Sequence, residues 1–282
     1  MQGTDDLVPL DDREFAYIAN LMYDRFGIHL GDQKRVLVAG RLSKRIRELG
    51  FSSFTPYIEY LIADKTGAEL SELINRITTN HSFFFREKDH FDFLSQNILA
   101  GIDSMKKGGA PYPLRIWSAG CATGEEIYSI GMLLAERYGL SPVGIDIGLL
   151  ATDISVAALQ EAKEGEYPGT KLRELPASLR KSYFRQKAPD VYAINDNIRN
   201  LVLFKRLNLM ADSFPMNGLF DAIFCRNVMI YFDQASRSRL VNTLFQYVKP
   251  GGYLFIGHSE SLRREDCPFD YVKPAIYKKG AA

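Results

Sequence analysis

Ile116-Trp-Ser-Ala-Gly-Cys-Ala-Thr-Gly-Glu-Glu126 is the stretch whose reading decides the architecture. An apolar run enters a turn of small residues and leaves it into Glu125 to Tyr138, where Ile127, Ile130, Leu133 and Leu134 recur on one side. That pattern predicts a strand at Leu114–Ser118, a glycine-bearing turn and an amphipathic helix. Downstream, Ile145–Thr152 predicts a second strand with Asp153 at its end, then a helix from Ser155 to about Lys163. Leu201–Leu207, Ala222–Cys225 and Gly252–Ile256 read as further strands, with a helix over Ala235–Tyr247 before the last. Alternation of this kind predicts an α/β domain, Rossmann-like, with a mainly parallel sheet and helices on both faces. Residues 165–200 break the rhythm and read as an inserted small β subdomain.

Upstream of Pro113 the period is helical. Phe15, Ile18, Ala19 and Met22 follow i, i+3, i+4, i+7 spacing, and Leu37, Leu42, Ile46 and Leu49 continue a similar stripe. Asp11 to Leu99 predicts four or five short helices and no strand. Lys106-Lys-Gly-Gly-Ala-Pro-Tyr-Pro113 has linker composition. The expected organisation is an all-α domain over 1–107, a linker at 108–113, and the α/β domain over 114–282 carrying the 165–200 insertion.

The chain has 282 residues, 46% hydrophobic and 24% charged, with 35 basic against 34 acidic residues and a net charge of +1. This composition excludes disordered and collagen-like classes and disfavours a nucleic-acid binder. Three scattered cysteines form no disulfide framework, and the spacing of the four histidines implies no metal. Met1 to Glu14 carries four aspartates and no apolar core of a signal peptide, and no stretch approaches a membrane span. The expected compartment is the cytoplasm.

The turn after the first strand is Gly-x-x-x-Gly, not the G-x-G-x-x-G that cradles a pyrophosphate, and Glu125 and Glu126 at the helix N-terminus would repel a phosphate. A ligand with hydroxyls or a cation fits better. The same residues also suit a plain acidic first helical turn. Asp153 stands where Rossmann-like folds place an acid on ribose hydroxyls, or else caps the following helix. Together the two signals favour a nucleoside without phosphates, of which S-adenosylmethionine is the commonest.

Two further segments, Thr78-Thr-Asn-His-Ser-Phe-Phe-Phe-Arg-Glu87 and Phe220-Asp-Ala-Ile-Phe-Cys-Arg-Asn-Val-Met-Ile-Tyr-Phe-Asp233, are backed by Gly251-Gly-Tyr-Leu-Phe-Ile-Gly-His-Ser-Glu260. They strongly resemble the CheR-type chemotaxis receptor methyltransferases over about residues 11–278. The resemblance implies a helical N-terminal domain and a class I methyltransferase domain with a β insertion. It also implies transfer of a methyl group from S-adenosylmethionine to receptor glutamates, with S-adenosylhomocysteine as product and no metal. By resemblance, Asn80, Ser82 and Arg86 reach the cofactor from the interdomain segment, and Glu125 or Glu126 lies in its pocket. Asp153 holds the ribose, Asn208 and Leu209 flank the adenine, and Cys225, Arg226 and Asn227 border the methionine moiety. Tyr231 lines the methyl-transfer site and, with Arg86, is the expected catalytic residue. Ser82 stands where many relatives have Thr, and Ile127 where many have Pro.

A glutamate carboxylate is ionised at neutral pH, so methyl transfer to it needs alignment and desolvation, not a general base. The candidate pocket offers no Ser-His-Asp set. Arg86 offers a planar fork for the cofactor's carboxylate, or pairs with a neighbouring acid. Tyr231 equally suits a buried aromatic with a satisfied hydroxyl. Between Gln33 and Arg47 there are six basic residues and no acidic one. Lys34, Arg41 and Arg45, flanked by Lys44, share one helical face and are the expected docking surface for the cytoplasmic helices of a receptor, or simply a solvated face. Some members of the family dock first on a receptor tail through a glycine-containing hairpin. Here Phe184-Arg-Gln-Lys-Ala-Pro-Asp-Val191 is short and glycine-free, so direct recognition of the methylation helices is expected. The resemblance further implies a monomer recruited to membrane receptor arrays. Two other readings stay open: a non-catalytic receptor- or cofactor-binding module, and an N-methyltransferase suggested by Asn227-Val-Met-Ile-Tyr231.

Overall fold

The computed structural model describes residues 7–105 and 110–281, so part of the expected linker, Lys106–Gly109, lies outside the described residues. The chain forms two compact units. One holds the residues up to Thr79 together with Tyr231–Ser236, and the other holds Asn80–Ile230 and the residues from Arg237 onward.

In the first unit, α1 (Asp12–Phe26), α2 (Arg35–Glu48), α3 (Phe54–Ala63) and α4 (Ala68–Ile77) form the expected helices. A capping box starts α1: Asp11 accepts from the Glu14 N–H at 2.8 Å, and Glu14 accepts from the Asp11 N–H at 3.0 Å. Gly27 ends it at φ 68°, donating to Tyr23 O at 2.7 Å, a left-handed cap that favours glycine. The predicted stripes are buried at Phe15, Ile18 and Met22 of α1 and at Leu42 and Ile46 of α2. Residues 231–236 join this unit by three contacts. Phe232 bridges Ile28, the His29 N–H donates to Tyr231 O at 2.8 Å, and the Tyr23 hydroxyl donates to Asp233 at 2.9 Å.

The second unit opens with α5 (Lys88–Phe93), a π-helical turn (Leu94–Leu99) and α6 (Ala100–Met105). The expected boundary at 108–113 is therefore displaced, and the units divide between Thr79 and Asn80. Packing explains the shift. Phe91, Leu94, Leu99 and Ile102 are buried in one cluster with Ile116, Phe224 and Phe255, so these helices cover sheet residues. Helical periodicity alone cannot tell which core a helix covers.

After α6 come β1 (Tyr112–Ala119), α7 (Glu125–Tyr138), β2 (Ile145–Asp153) and α8 (Val156–Glu164). The insertion follows as β3 (Glu166–Pro168), α9 (Ala177–Tyr183), β4 (Phe184–Ala188) and β5 (Val191–Ile194). Then come α10 (Asp196–Arg199), β6 (Val202–Arg206), β7 (Phe220–Cys225), α11 (Gln234–Tyr247), β8 (Val248–Ile256), β9 (Asp270–Lys273) and β10 (Ile276–Lys278). The main sheet runs β6-β2-β1-β7-β8-β10-β9, parallel from β6 to β8 and antiparallel across β10 and β9. Both faces are covered. Ile116 joins the cluster that includes α7, while its neighbour Trp117, on the opposite face, packs against Tyr247 of α11 at 6.4 Å. The insertion is a three-stranded antiparallel sheet, β3-β5-β4, with Pro189 and Asp190 turning between β4 and β5. β9 and β10 were not anticipated. Four and three residues are too short for alternation to register.

Candidate functional site

The carboxyl ends of β1, β2 and β7 meet around the turn between β1 and α7. Gly120 at φ 88° is required there, because an added Cβ would lie 2.4 Å from Val228 Cγ2. Its N–H and that of Cys121 donate to Thr152 O at 2.8 and 2.9 Å, which binds the turn to the end of β2. Asp153 is nearly buried, and its two carboxylate oxygens accept from the N–H groups of Ala122 and Ser155, both at 2.9 Å. Burial pushes the Asp153 carboxyl up, and those two N–H donors oppose the rise. The cap of α8 is Ser155, whose hydroxyl accepts from the Ala158 N–H at 3.1 Å, so the capping role read for Asp153 falls to its neighbour. The Leu207 N–H donates to Asp153 O at 3.0 Å, which brings the turn bearing Asn208 and Leu209 alongside.

The paired glutamates have different partners. Glu125 is fully buried, accepting from the Thr123 hydroxyl at 2.7 and 2.9 Å and from Lys171 of the insertion. The Tyr167 hydroxyl donates to Thr123 O at 2.7 Å, a second tie between insertion and turn. Glu126 accepts from the Ser118 hydroxyl at 2.6 Å and from Arg226 at 3.0 Å. Burial raises the Glu126 carboxyl, with Arg226 opposing. The two glutamates read as repelling a phosphate are thus each paired: Glu125 faces Lys171 and Glu126 faces Arg226. Of the two, Glu126 is the one with residual exposure, 14% of its side chain against none for Glu125.

Arg226 is the hub. Its guanidinium, 2% exposed, holds Glu126, Glu87 at 2.9 Å and the carbonyl of Arg86. Burial alone would raise Glu87, but Arg226 and the His258 N–H outweigh it and leave the carboxyl below its ordinary value. The Asn227 N–H donates to Glu260 at 2.9 Å, and the N–H groups of Gly257 and Ile230 donate to the same carboxylate. Burial raises Glu260 against these donors. Four non-glycine residues with left-handed backbone gather here: Phe85, Glu87, Ala122 and Asn227, at φ 48–58°. Such conformations cost free energy and concentrate at functional sites.

Arg86 donates to His81 O at 3.2 Å and lies 5.5 Å over the Phe83 ring. Among the described residues it has no acid partner, so the ion-pair reading is not realised. Asn80 and Ser82 are half-buried in the same segment. Cys225 is wholly buried and its thiol is pushed up by burial, so its side chain is not presented to a ligand. Asn80, Ser82, Arg86, Glu125, Glu126, Asp153, Asn208, Leu209, Cys225, Arg226 and Asn227 all belong to the second unit.

Tyr231, Lys34, Arg41, Lys44 and Arg45 belong to the first. Two of the expected docking residues are corrected. Arg45 forks onto buried Glu69 at 2.5 and 3.1 Å, and Arg41 binds Ile77 O and the Thr79 hydroxyl. Both tie α2 to α4 or to the segment following it. Lys34 and Lys44 stay exposed.

Sequence reasoning gave no role to Glu87, Glu260, Thr123 or Lys171. Glu87 and Glu260 sit inside quoted motifs, and their partners arrive from distant chain positions. Nor did it bring His90 and His258 together. Their rings meet edge-on at 4.8 Å, and Glu87 lies 3.6 Å from His90 Nδ1. Burial, then the charge of Arg226, pushes His90 down to about 4 against Asp89 and Glu87.

Residues 13–78 match the family model "CheR methyltransferase, all-alpha domain", and residues 80–277 match "CheR methyltransferase, SAM binding domain". The junction between the matches coincides with the division between the units. A chemotaxis protein methyltransferase of Borreliella burgdorferi is 42% identical over 266 residues, covering 94% of each chain. One of Escherichia coli is 37% identical over 280 residues, covering 98% of this chain and 94% of that one. With both models matched in order and nearly the whole length shared, the chain belongs to the CheR methyltransferase family.

Proposed function

We propose that the protein methylates glutamate side chains of chemotaxis receptors, producing glutamate methyl esters with S-adenosylmethionine as donor. The observation that carries this reading is Arg86, a guanidinium without an acid partner among the described residues, beside a hub in which Arg226 is already taken up by Glu87 and Glu126. With Arg226 held by its own two acids, Arg86 is the guanidinium left open to a carboxylate, and its planar fork suits one. The residues present also fit the rest of such a cofactor. At the end of β2 Asp153 would accept from ribose hydroxyls, and the turn bearing Asn208 and Leu209, tied to it through the Leu207 N–H, would serve the adenine. Gly120 lets backbone approach closely where a side chain would block.

Bound, S-adenosylmethionine supplies an electrophilic methyl carbon on its sulfonium. The acceptor carboxylate is ionised at neutral pH, so the chain has to align it and exclude water, and no residue need remove a proton. Chemotaxis enters through the names of the similar proteins, and exposed Lys34, just before α2, and Lys44 on α2 suit the acidic receptor helix as a docking surface. The short β4–β5 turn through Pro189 suits direct recognition of that helix without a tail contact.

The test is incubation with methyl-labelled cofactor and receptor-bearing membranes. Label on the receptor that is released by mild base supports ester formation. Base-stable label indicates nitrogen methylation, absence of label indicates a binding module, and either overturns the proposal.

A further inference from the structure

We propose that Glu87, His90 and His258 form a binding site for a divalent transition-metal cation of the zinc class. The site is independent of the methyltransferase reading. His90 is completely buried, and neither of its ring nitrogens has a hydrogen-bond partner among the described residues. A buried imidazole left unsatisfied at both nitrogens is costly, and such groups point to a ligand the polypeptide does not supply. The Glu87 carboxylate at 3.6 Å is too far to be a hydrogen-bond partner, yet it accepts from the His258 N–H at 3.1 Å and so sits between the two histidines in the chain's contacts. One donor atom from each of the three residues lies within 4.8 Å of the other two.

Zinc binds imidazole nitrogen and carboxylate oxygen at about 2.0–2.2 Å, so tetrahedral donors lie roughly 3.4 Å apart. Closing the set asks for a shift of up to about 1.4 Å, within reach of the half-exposed His258 ring. Glu87 caps α5 with left-handed backbone and His90 lies in its first turn, which brings the Glu87 carboxylate to 3.6 Å from His90 Nδ1. An outer-shell partner is also present. His258 Nε2 lies 3.1 Å from Asp89, the carboxylate–histidine arrangement that fixes the ring and leaves Nδ1 to ligate.

Arg226, which also binds Glu87, adds a cation nearby. Glu87, Glu126 and Asp89 together exceed its charge by two, which matches a dication. Two imidazoles and one carboxylate, with no all-oxygen cage, select zinc, cobalt or nickel over magnesium or calcium. A bound ion would clip the loop after β8 to the start of α5.

The test uses the full chain, stripped with a chelator, titrated with Co²⁺ and followed by its visible ligand-field absorption, then challenged with Zn²⁺. One equivalent of Co²⁺ giving a tetrahedral-type band that Zn²⁺ bleaches is expected. Asp89→Asn should weaken binding roughly 10–100-fold, and His258→Ala by more. Both positions are about half exposed, so the variants should fold, as circular dichroism will check. His29→Ala, in the other unit, should change nothing. Absence of the band, or native affinity in either the Asp89 or the His258 variant, overturns the site.

Discussion

Arg226 in the second unit and Arg45 in the first each hold two carboxylates, and their surroundings differ. Arg226 is buried, its acids come from the segment before α5 and from α7, and the residues about it adopt left-handed backbone. Arg45 is a quarter exposed, and joins α2 to α4 through Glu69 with Glu48 more distant at 3.9 Å. One network draws together strand ends and loops, where ligands of open α/β sheets bind. The other pins two helices. Sequence reasoning had assigned both arginines to ligands, one to the cofactor and one to the receptor. The comparison teaches that an arginine's own acids must be counted before it is offered to a partner.

Arg226→Met should have the largest effect. It strands Glu87 and Glu126 without their cation and should cost about 3–5 kcal/mol of stability in urea denaturation. Arg45→Met should cost less, about 1–3 kcal/mol, because it leaves one close acid, Glu69, without its cation where Arg226→Met leaves two, and Arg45 is itself a quarter exposed. A larger loss for Arg45 would break the comparison.

Asp153→Ala should weaken cofactor binding by about 1.5–3 kcal/mol in calorimetry, through loss of a charged acceptor for hydroxyls. An unchanged dissociation constant would remove Asp153 from the site.

A pH series sharpens the same point. Only the ionised carboxylate accepts both ribose hydroxyls, so affinity should fall as pH drops through the Asp153 pKa. Because burial raises that pKa, the fall should begin above the ordinary value of about 3.9. For the ligand-free fold the sign is opposite. A raised carboxyl pKa contributes stability below the unfolded value, and that contribution is lost as pH rises through the folded one. Flat affinity down to the ordinary aspartate range would contradict the burial argument.

The smallest effect belongs to the exposed lysines. Lys34→Glu with Lys44→Glu should slow receptor methylation a few-fold at low salt and leave cofactor affinity unchanged, with the difference shrinking as salt rises. Reversing Arg41 and Arg45 would confound this test, since both hold the helical unit together. Equal rates for the lysine variant and the native chain would make the face a merely solvated one.

Much of the fold was legible because its periods are long. α7 begins and ends where the stripe of Ile127, Ile130, Leu133 and Leu134 predicts, and β1, β2, β6, β7 and β8 all stand on predicted runs. The antiparallel β9 and β10 escaped because pairing, not local pattern, makes short strands. At the site, residue types were legible and partners were not. Glu125 and Glu126 are adjacent and alike in sequence, yet one meets Lys171 from the insertion and the other Arg226 from the end of β7.

The sequence by itself determined the order of elements, the glycine-bearing turn and the family motifs. Each of these depends on spacing within a few residues, where helix and strand periods and backbone freedom act directly. Only the tertiary structure decided where one unit stops, because α5 and α6 follow the core they cover and not the composition of the chain beside them. It also decided which charges are matched. Arg226 with Glu87 and Glu126, Lys171 with Glu125, and His90 beside His258 are pairings across long loops. Burial and proximity set their electrostatics, and neither exists until the chain has closed on itself.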